Sequence, residues 1–467
     1  MTRLFFSVLL LAAPLLMKGQ TTFRRNVDIA TLRSMELPVL DIVCVDSVEP
    51  TYDEVSPPPG GMGKSITNAT KVPGRMTITL GADTLYDSGF FVEDQSGITI
   101  KVRGNTSAYQ PQKPFKIKLQ KKADLLCRGN NGVFGDKHWV LLADISPNTG
   151  LGFAVSRLVG MEWTPAWEFV NVVLNGQYRG MYVLCEQIRR NTSCRLNVDA
   201  TSGYIIEHDA YWWNEPVYFT TTTGRKYTFN YPDEEDVTEA QVEYIHGVVS
   251  AFEESIADGT YPQHIDVASF VRFLLAHDIL GTWDSGGTNQ YIAKQNNSTR
   301  SLLRMPCLWD FGTILKMTND WSRLHTDSYT FFPALLQSKN TEFVTTYMAL
   351  LQELMPTVFD GIDQWLADFA ASPQVSSINR SRQFTAQVYG SSTGLWSEAI
   401  ASYRRWFRQR RIWLQNNVKE IVVPTEVSAL VVENDDDGST YDLMGRRVSN
   451  DAQGFVVRRG KLYYIRK

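Results

Sequence analysis

The sequence predicts an α+β protein: a two-lobed body with a β-rich first half and a helical second half, then a small C-terminal β module. Three observations predict it. Up to about residue 230, short strand-like apolar runs are punctuated by Gly, Pro, Asn and Asp. Past the loop Tyr231–Asp236 the spacing changes, with Val242, Ile245, Val249 and Phe252 at helical intervals. A polar run, Glu433-Asn-Asp-Asp-Asp-Gly438, then separates a stretch from Thr440 to Lys467 that alternates like short strands.

In chain order, Arg3 precedes an apolar run of 14 residues from Leu4 to Met17, short for a spanning helix, and Lys18-Gly19-Gln20-Thr21 turns polar. Residues 1–20 are therefore expected to be a signal peptide. The chain is expected to be exported, periplasmic or at the cell surface or beyond, with no membrane span after cleavage. Residues 37–46 read as a buried first strand, followed by a Pro/Gly-rich loop, Ser56 to Lys64. Further strands are expected at Arg75–Leu80, Ile98–Arg103, Phe115–Leu119, Trp139–Leu142, Phe169–Leu174 and Tyr182–Cys185, with a helix near Phe153–Val159. Asn175-Gly176 is a hairpin signal. Ala268–Leu280, apolar nearly all round, reads as a buried helix. Helical patterns recur at Phe343–Met355, Gly361–Phe369 and Leu395–Val418. The last carries Arg404, Arg405, Arg408, Arg410 and Arg411, expected on a solvated face.

Composition narrows the class. With 43% hydrophobic residues, 21% charged residues and a net charge of −4, nothing favours a nucleic-acid or membrane-surface partner. Five cysteines in 467 residues make no disulfide scaffold, although Cys185 and Cys194 are close enough in sequence to pair across a hairpin. No CxxC spacing occurs and the six histidines are scattered, so a zinc site has no support.

Two local motifs mislead. Gly63-Lys64-Ser65 resembles the end of a phosphate-binding loop, but Pro58 stands where the first glycine is required. Asp284-Ser285-Gly286-Gly287 resembles a protease nucleophile turn, but that chemistry needs an oriented base histidine and buried carboxylate on an all-β double barrel, and this stretch follows a buried helix. The same segment reads better otherwise. Asp284 and Asn289 have the Asp-x4-Asn spacing of a phosphotransferase catalytic loop, and Asp310-Phe311-Gly312 follows 26 residues after Asp284. Phosphoryl transfer needs a carboxylate near the acceptor hydroxyl, Asn and Asp on a metal, and cations on the phosphates. Asp284 is the candidate catalytic carboxylate; Asn289 and Asp310 are the candidate metal ligands. Upstream, Lys113-Pro-Phe-Lys-Ile-Lys-Leu119 puts Phe115, Ile117 and Leu119 on one face and Lys116 and Lys118 on the other. A buried glutamate opposite one of these lysines, Glu186 or Glu207, is expected to hold it.

Several separated blocks resemble the spore-coat-protein-H (CotH) kinase family: Arg103-Gly-Asn-Thr-Ser, Lys113-Pro-Phe-Lys-Ile-Lys-Leu, His138-Trp-Val-Leu-Leu-Ala-Asp, Asn175-Gly-Gln-Tyr-Arg-Gly-Met-Tyr, Glu186-Gln-Ile, Trp283-Asp-Ser and Trp309-Asp-Phe. The resemblance implies an atypical protein-kinase-like fold over residues 36–422. It implies binding of ATP with Mg²⁺ or Mn²⁺, and phosphorylation of Ser or Thr on exported proteins. Arg103, Lys116, Lys118 and Glu186 would then serve the nucleotide. Two positions depart from the family pattern. Gly312 stands where a further carboxylate is common, and Pro147–Gly152 lacks an Arg-Asn pair. These departures motivate the alternative of an inactive kinase-fold scaffold; the Tyr211-Trp212-Trp213 run motivates a weaker one, carbohydrate recognition. Residues 423–467, notably Tyr441-Asp-Leu-Met-Gly-Arg-Arg-Val448, resemble the small sorting-like β modules that end many exported Bacteroidetes proteins.

Overall fold

The computed structural model describes residues 27–282, 284–312, 314, 321–324, 330–422, 439–442, 446–449, 454–458 and 461–465. The expected signal peptide, Trp283 and the linker before Ser439 lie outside them.

A short helix, α1 (Ile29–Arg33), precedes the β-rich half. Its strands are β1 (Val39–Cys44), β2 (Asp53–Val55), β3 (Ser65–Thr67), β4 (Val72–Leu80), β5 (Asp83–Asp87), β6 (Ile98–Val102), β7 (Phe115–Ala123), β8 (Asp136–Leu142), β9 (Trp167–Leu174) and β10 (Gln177–Glu186). Between them lie α2 (Asn131–Phe134) and α3 (Asn148–Leu158). Eight strands run in the order β1-β9-β10-β8-β7-β6-β4-β5, and β1 also pairs with β4. That extra pairing closes seven strands into a barrel, leaving β5 outside on β4. Closure was not legible in the sequence, because it depends on β1 using both edges.

The barrel interior is apolar. Leu40, Ile42, Met76, Ile78, Ile100, Ile117, Leu119, Trp139, Leu141, Val172 and Leu184 form one cluster there. Burial alternates along β4 and β6 as a half-buried strand requires. Asn175 and Gly176, at φ +51° and +73°, make the tight β9–β10 turn that the Asn-Gly pair demands.

A second sheet has the order β12-β13-β11-β14-β15, built from β11 (Tyr204–His208), β12 (Tyr218–Thr220), β13 (Lys226–Tyr231), β14 (Gln290–Lys294) and β15 (Leu303–Arg304). The helices of this half are α4 (Glu239–Asp258), α5 (Val267–Leu280), α6 (Phe332–Leu336), α7 (Glu342–Ala371), α8 (Val375–Val388), which packs against β10 of the barrel, and α9 (Trp396–Val422). A large core joins α3, α5, α7, α9 and this sheet to the outer face of the barrel at Val140, Phe169, Val183 and Cys185. Four short strands, β16 (Thr440–Asp442), β17 (Arg447–Val448), β18 (Gly454–Arg458) and β19 (Lys461–Ile465), pair in a separate C-terminal sheet. Among the described residues no helix is long and apolar enough to cross a membrane.

Three expectations are corrected. The two helices expected at 343–355 and 361–369 are one, α7, with Pro356 inside it. The buried face Met355, Val358, Phe359, Ile362 and Leu366 runs on past the proline, and packing outweighs the lost backbone bond. Cys185 and Cys194 are not bonded; all five cysteines are free. Arg410 is not on a solvated face. It is 0% exposed, and donates from Nε to the Asp278 carbonyl at 2.9 Å and from Nη1 to the Trp321 carbonyl at 2.8 Å, with the Arg323 carbonyl also accepting. Arg404 and Arg411 do face solvent, paired with Asp363 and Asp360.

Arg410→Ala leaves those carbonyls buried and unsatisfied, and is expected to lower stability by about 2–4 kcal/mol. Arg405→Ala, at an exposed position, is expected to stay within about 0.5 kcal/mol. Urea midpoints of the two variants check the contrast.

Candidate functional site

The site begins with strand register. Lys101 lies opposite Lys116, Thr99 opposite Lys118, and Lys118 opposite His138, so all five side chains share the outer face of the barrel. Arg103 follows directly after β6, its N–H donating to the Pro114 carbonyl at 3.1 Å. These groups form one wall of a cleft of about 530 Å³ that Lys71 and Arg189 also line. The facing wall comes from the second sheet and the loop after it: Phe229, Asn230, Asp233, Glu234 and Glu215. Residues 65–69 line a further side, tied down by Asn214 Nδ2, which donates to Ser65 Oγ and to the Ile66 carbonyl, both at 2.8 Å.

The electrostatics of this cleft are uneven. Lys101, Arg103, Lys116 and Lys118 form no ion pair with any described residue. Burial, then the charges of Arg189, Lys101 and Arg103, push the Lys116 ammonium down to about 7. Burial and Lys71 lower Lys101 as well. On the opposite wall, burial and the neighbouring Glu234 carboxyl push Glu215 up to about 9. Crowded, unpaired cations of this kind favour an anionic ligand with several oxygens.

The other candidate residues, Asp284, Asn289 and Asp310, lie on the loop between α5 and β14 and on the turn at 310–312, and none of them lines the cleft. Asp266 caps α5 by accepting the Ser269 N–H, and Gly281 ends the helix at φ +64°. Asp284 is partly buried in the turn that follows. Asn289, at φ +57°, closes the loop, and its N–H donates to Glu207 Oε1 at 3.1 Å. Burial and the nearby Asp209 carboxyl push Glu207 up to about 8. Asp310 also has a left-handed backbone, φ +58°; it is exposed and accepts the Gly312 N–H at 3.1 Å. Left-handed non-glycine residues concentrate where surrounding structure holds them for a purpose. The next residue is the anchor. Phe311 is 2% exposed and packs edge-on against Phe153 at 5.4 Å. A Cβ added at Gly152 would come within 2.1 Å of the Phe311 ring, so only glycine permits this seat on α3. Among the described residues, no three His, Cys, Asp or Glu side chains are gathered closely enough to hold a metal ion.

Glu186 is corrected. It lies opposite Trp139, which lies opposite Ile117, so it shares the interior face and not that of Lys116. Its Oε1 accepts from Arg128 at 2.9 Å and its Oε2 from the Ala166 N–H at 3.0 Å, which close one end of the barrel. Glu207, the other candidate lysine partner, forms no ion pair with a described residue and holds the 284–289 loop instead. Sequence reasoning passed over Lys71, Lys101 and Arg189. Lys101 had a usable signal, being two residues before Arg103 on a strand. Lys71 and Arg189 had none, because they arrive through barrel closure and the turn after β10. The aromatic run is occupied internally. Trp213 Nε1 donates to the Met62 carbonyl at 3.2 Å, Tyr211 pairs with Thr106 at 2.8 Å, and Trp212 packs against Tyr218 at 4.8 Å.

Residues 100–414, about two thirds of the chain, match the family described as CotH kinase protein. The chain belongs to the CotH kinase family. The match includes Lys101, Arg103, Lys116, Lys118 and the 284–312 segment of this CotH-family protein, whereas Lys71 and residues 65–69 of the cleft precede it. No curated protein matches it. Among solved structures, a proinflammatory kinase of Helicobacter pylori, CtkA, aligns at 11% identity and a TM-score of 0.25, over 60% of this chain and 92% of that one.

Burial and the surrounding cations disfavour the charged form of Lys116, and a bound anion favours it. Binding of sulfate, which does not itself titrate near pH 8, is therefore expected to be accompanied by proton uptake at that pH. Lys116→Met should abolish most of the uptake; calorimetry in buffers of different ionisation enthalpy measures it. Gly152→Ala should lower stability by about 1–3 kcal/mol, by forcing Phe311 off α3. Thermal melting checks this second expectation.

Proposed function

We propose that this CotH-family protein is an exported, metal-dependent kinase that transfers the γ-phosphoryl group of ATP to Ser or Thr of exported proteins. The observation that carries the reading is the cleft walled by Lys101, Arg103, Lys116 and Lys118, cations without carboxylate partners among the described residues. Its volume of about 530 Å³ is of the size that takes a nucleotide-scale ligand. Family membership supports the reaction class, and the N-terminal sequence Arg3 to Gln20 supports export.

In this reading the barrel and the helical half are the two lobes of a kinase-like fold, with the cleft between them. Arg103, Lys101, Lys116 and Lys118 bind the phosphates. Asp284 accepts the proton of the acceptor hydroxyl as the oxygen attacks the γ-phosphorus and the bond to the leaving diphosphate breaks. Asn289 and Asp310 would hold a Mg²⁺ or Mn²⁺ ion; when bound, that ion offsets charge developing on the phosphate oxygens. Carboxylate and amide oxygens suit such hard cations. A second reading, a kinase-fold scaffold without transfer activity, is favoured by one observation: Gly312 offers no side chain beside Asp310.

Purified protein, labelled ATP and Mg²⁺ or Mn²⁺ separate the two. Transfer to the protein itself or to a Ser/Thr substrate is expected, and Asp284→Ala and Asp310→Ala should each reduce it by about 10²–10⁴-fold with unchanged melting temperature. Nucleotide-dependent stabilisation without transfer would favour the scaffold.

A further inference from the structure

Glu207 has no part in the reaction as written above, yet its side chain holds the last residue of the 284–289 loop. β11 and β14 are antiparallel neighbours, with Glu207 opposite Tyr291 and His208 opposite Gln290. From there Glu207 reaches back past the start of β14, and its Oε1 accepts the Asn289 N–H at 3.1 Å. Its Oε2 faces Asn230 Nδ2 at 3.5 Å, and Asn230 lines the basic cleft. One side chain thus connects the end of the loop to the wall of the cleft. Asn289 sits at φ +57°, a conformation that asparagine tolerates but that other contacts must hold in place.

We propose that Glu207 is a positioning residue: by accepting the Asn289 N–H, it fixes the backbone from which the Asn289 amide approaches the metal ion. The inference rests on the kinase reading and on Asn289 facing the metal. What the bond requires is an acceptor oxygen at that reach, not a negative charge. Glutamine supplies such an oxygen; methionine, of similar volume, does not. Glu207 is also hydrogen-bonded to the buried Tyr291 side chain, so acceptor chemistry alone does not isolate the positioning role; coupling to Asn289 in a double variant does.

The test uses the full chain with Glu207→Gln, Glu207→Met, Asn289→Ala and the Glu207→Met/Asn289→Ala double variant. Two quantities are read: the Mn²⁺ dependence of phosphoryl transfer from ATP, and Mn²⁺ binding in the presence of ATP by electron paramagnetic resonance. Glu207→Gln should stay within about twofold of the parent protein. Glu207→Met should need about ten-fold more Mn²⁺ in both measurements, the size of effect seen when a residue supporting a metal ligand is lost. The double variant should be no worse than Asn289→Ala alone, because both act on one group. Should Glu207→Met melt at a lower temperature, Glu207→Thr replaces it, being too short to reach Asn289. Parent-like behaviour of the acceptor-free variant overturns the inference, as does equal damage from Gln, or losses that multiply in the double variant. A parent protein that neither transfers phosphate nor binds Mn²⁺ with ATP overturns the kinase reading and this inference together.

Discussion

Alternation along β7 is the constraint on which the site depends. In a closed barrel every strand must send alternate residues inward, and Phe115, Ile117 and Leu119 belong to the interior cluster. Lys116 and Lys118 then have no choice but to face out. A slip of one residue would bury two ammonium groups among Leu40, Ile100 and Trp139 and expose three apolar side chains. The register with β6 and β8 carries the same rule sideways, placing Lys101 and His138 beside them. The cation cluster is therefore positioned by the packing behind it. The chain can then leave those cations without carboxylate partners and still keep them in place.

Holding like charges together is unfavourable, and the protein offsets this in identifiable ways. Lys116 yields its proton more readily than an ordinary lysine, because burial and three neighbouring cations disfavour its charged form. Arg189 is held by Asp233, at the rim of the cleft. Across the gap, burial and the neighbouring Glu234 carboxyl disfavour the charged form of Glu215. The two walls are opposed in sign and meet as an ion pair at Arg189–Asp233, whereas Lys101, Arg103, Lys116 and Lys118 form none with a described residue, which leaves space beside them for a charged ligand. Glu186 is excluded from this balance because its strand parity directs it to the interior, where Arg128 and the Ala166 N–H satisfy it.

Much of the local structure was legible in the sequence, since strands, turns and the buried helix α5 follow from near neighbours. The β7 alternation, the Asn175-Gly176 turn and the change of period after residue 236 all reappear in the structure. What failed to show was set by distant contacts. Barrel closure needs β1 and β4, about 35 residues apart, to find each other's edges. Arg410 sits among exposed arginines in the sequence, yet lies buried because Asp278, Trp321 and Arg323 offer carbonyls from far along the chain. α8 escaped notice because it has few apolar residues. Thr385 anchors it by accepting the Met181 N–H at 2.8 Å. For the site, Lys101 was within reach of the strand argument, whereas the Asn289 N–H that Glu207 accepts has no sequence signature at all.

The first turns of α3, where the chain departs from the family pattern, are packed in a specific way. Residues 147–152 lack the Arg-Asn pair, and in its place stand two small residues with specific neighbours. Gly150 lies against Trp167 and Trp365, where a Cβ would come within 2.4 Å of the first ring, and Gly152 lies directly against Phe311. The helix is thereby drawn onto the aromatic side chain that follows Asp310. Phe311 is buried on one side of the turn and Asp310 is exposed on the other, so seating the ring fixes the direction in which the carboxylate leaves the core. The glycines at 150 and 152 and the aspartate at 310 are thus parts of one arrangement, joined by a ring contact in place of a charged pair. In that arrangement Gly312 has a local role too, because its N–H is the group that Asp310 accepts. That bond uses the backbone N–H alone, which any residue but proline supplies, so it is independent of the missing carboxylate.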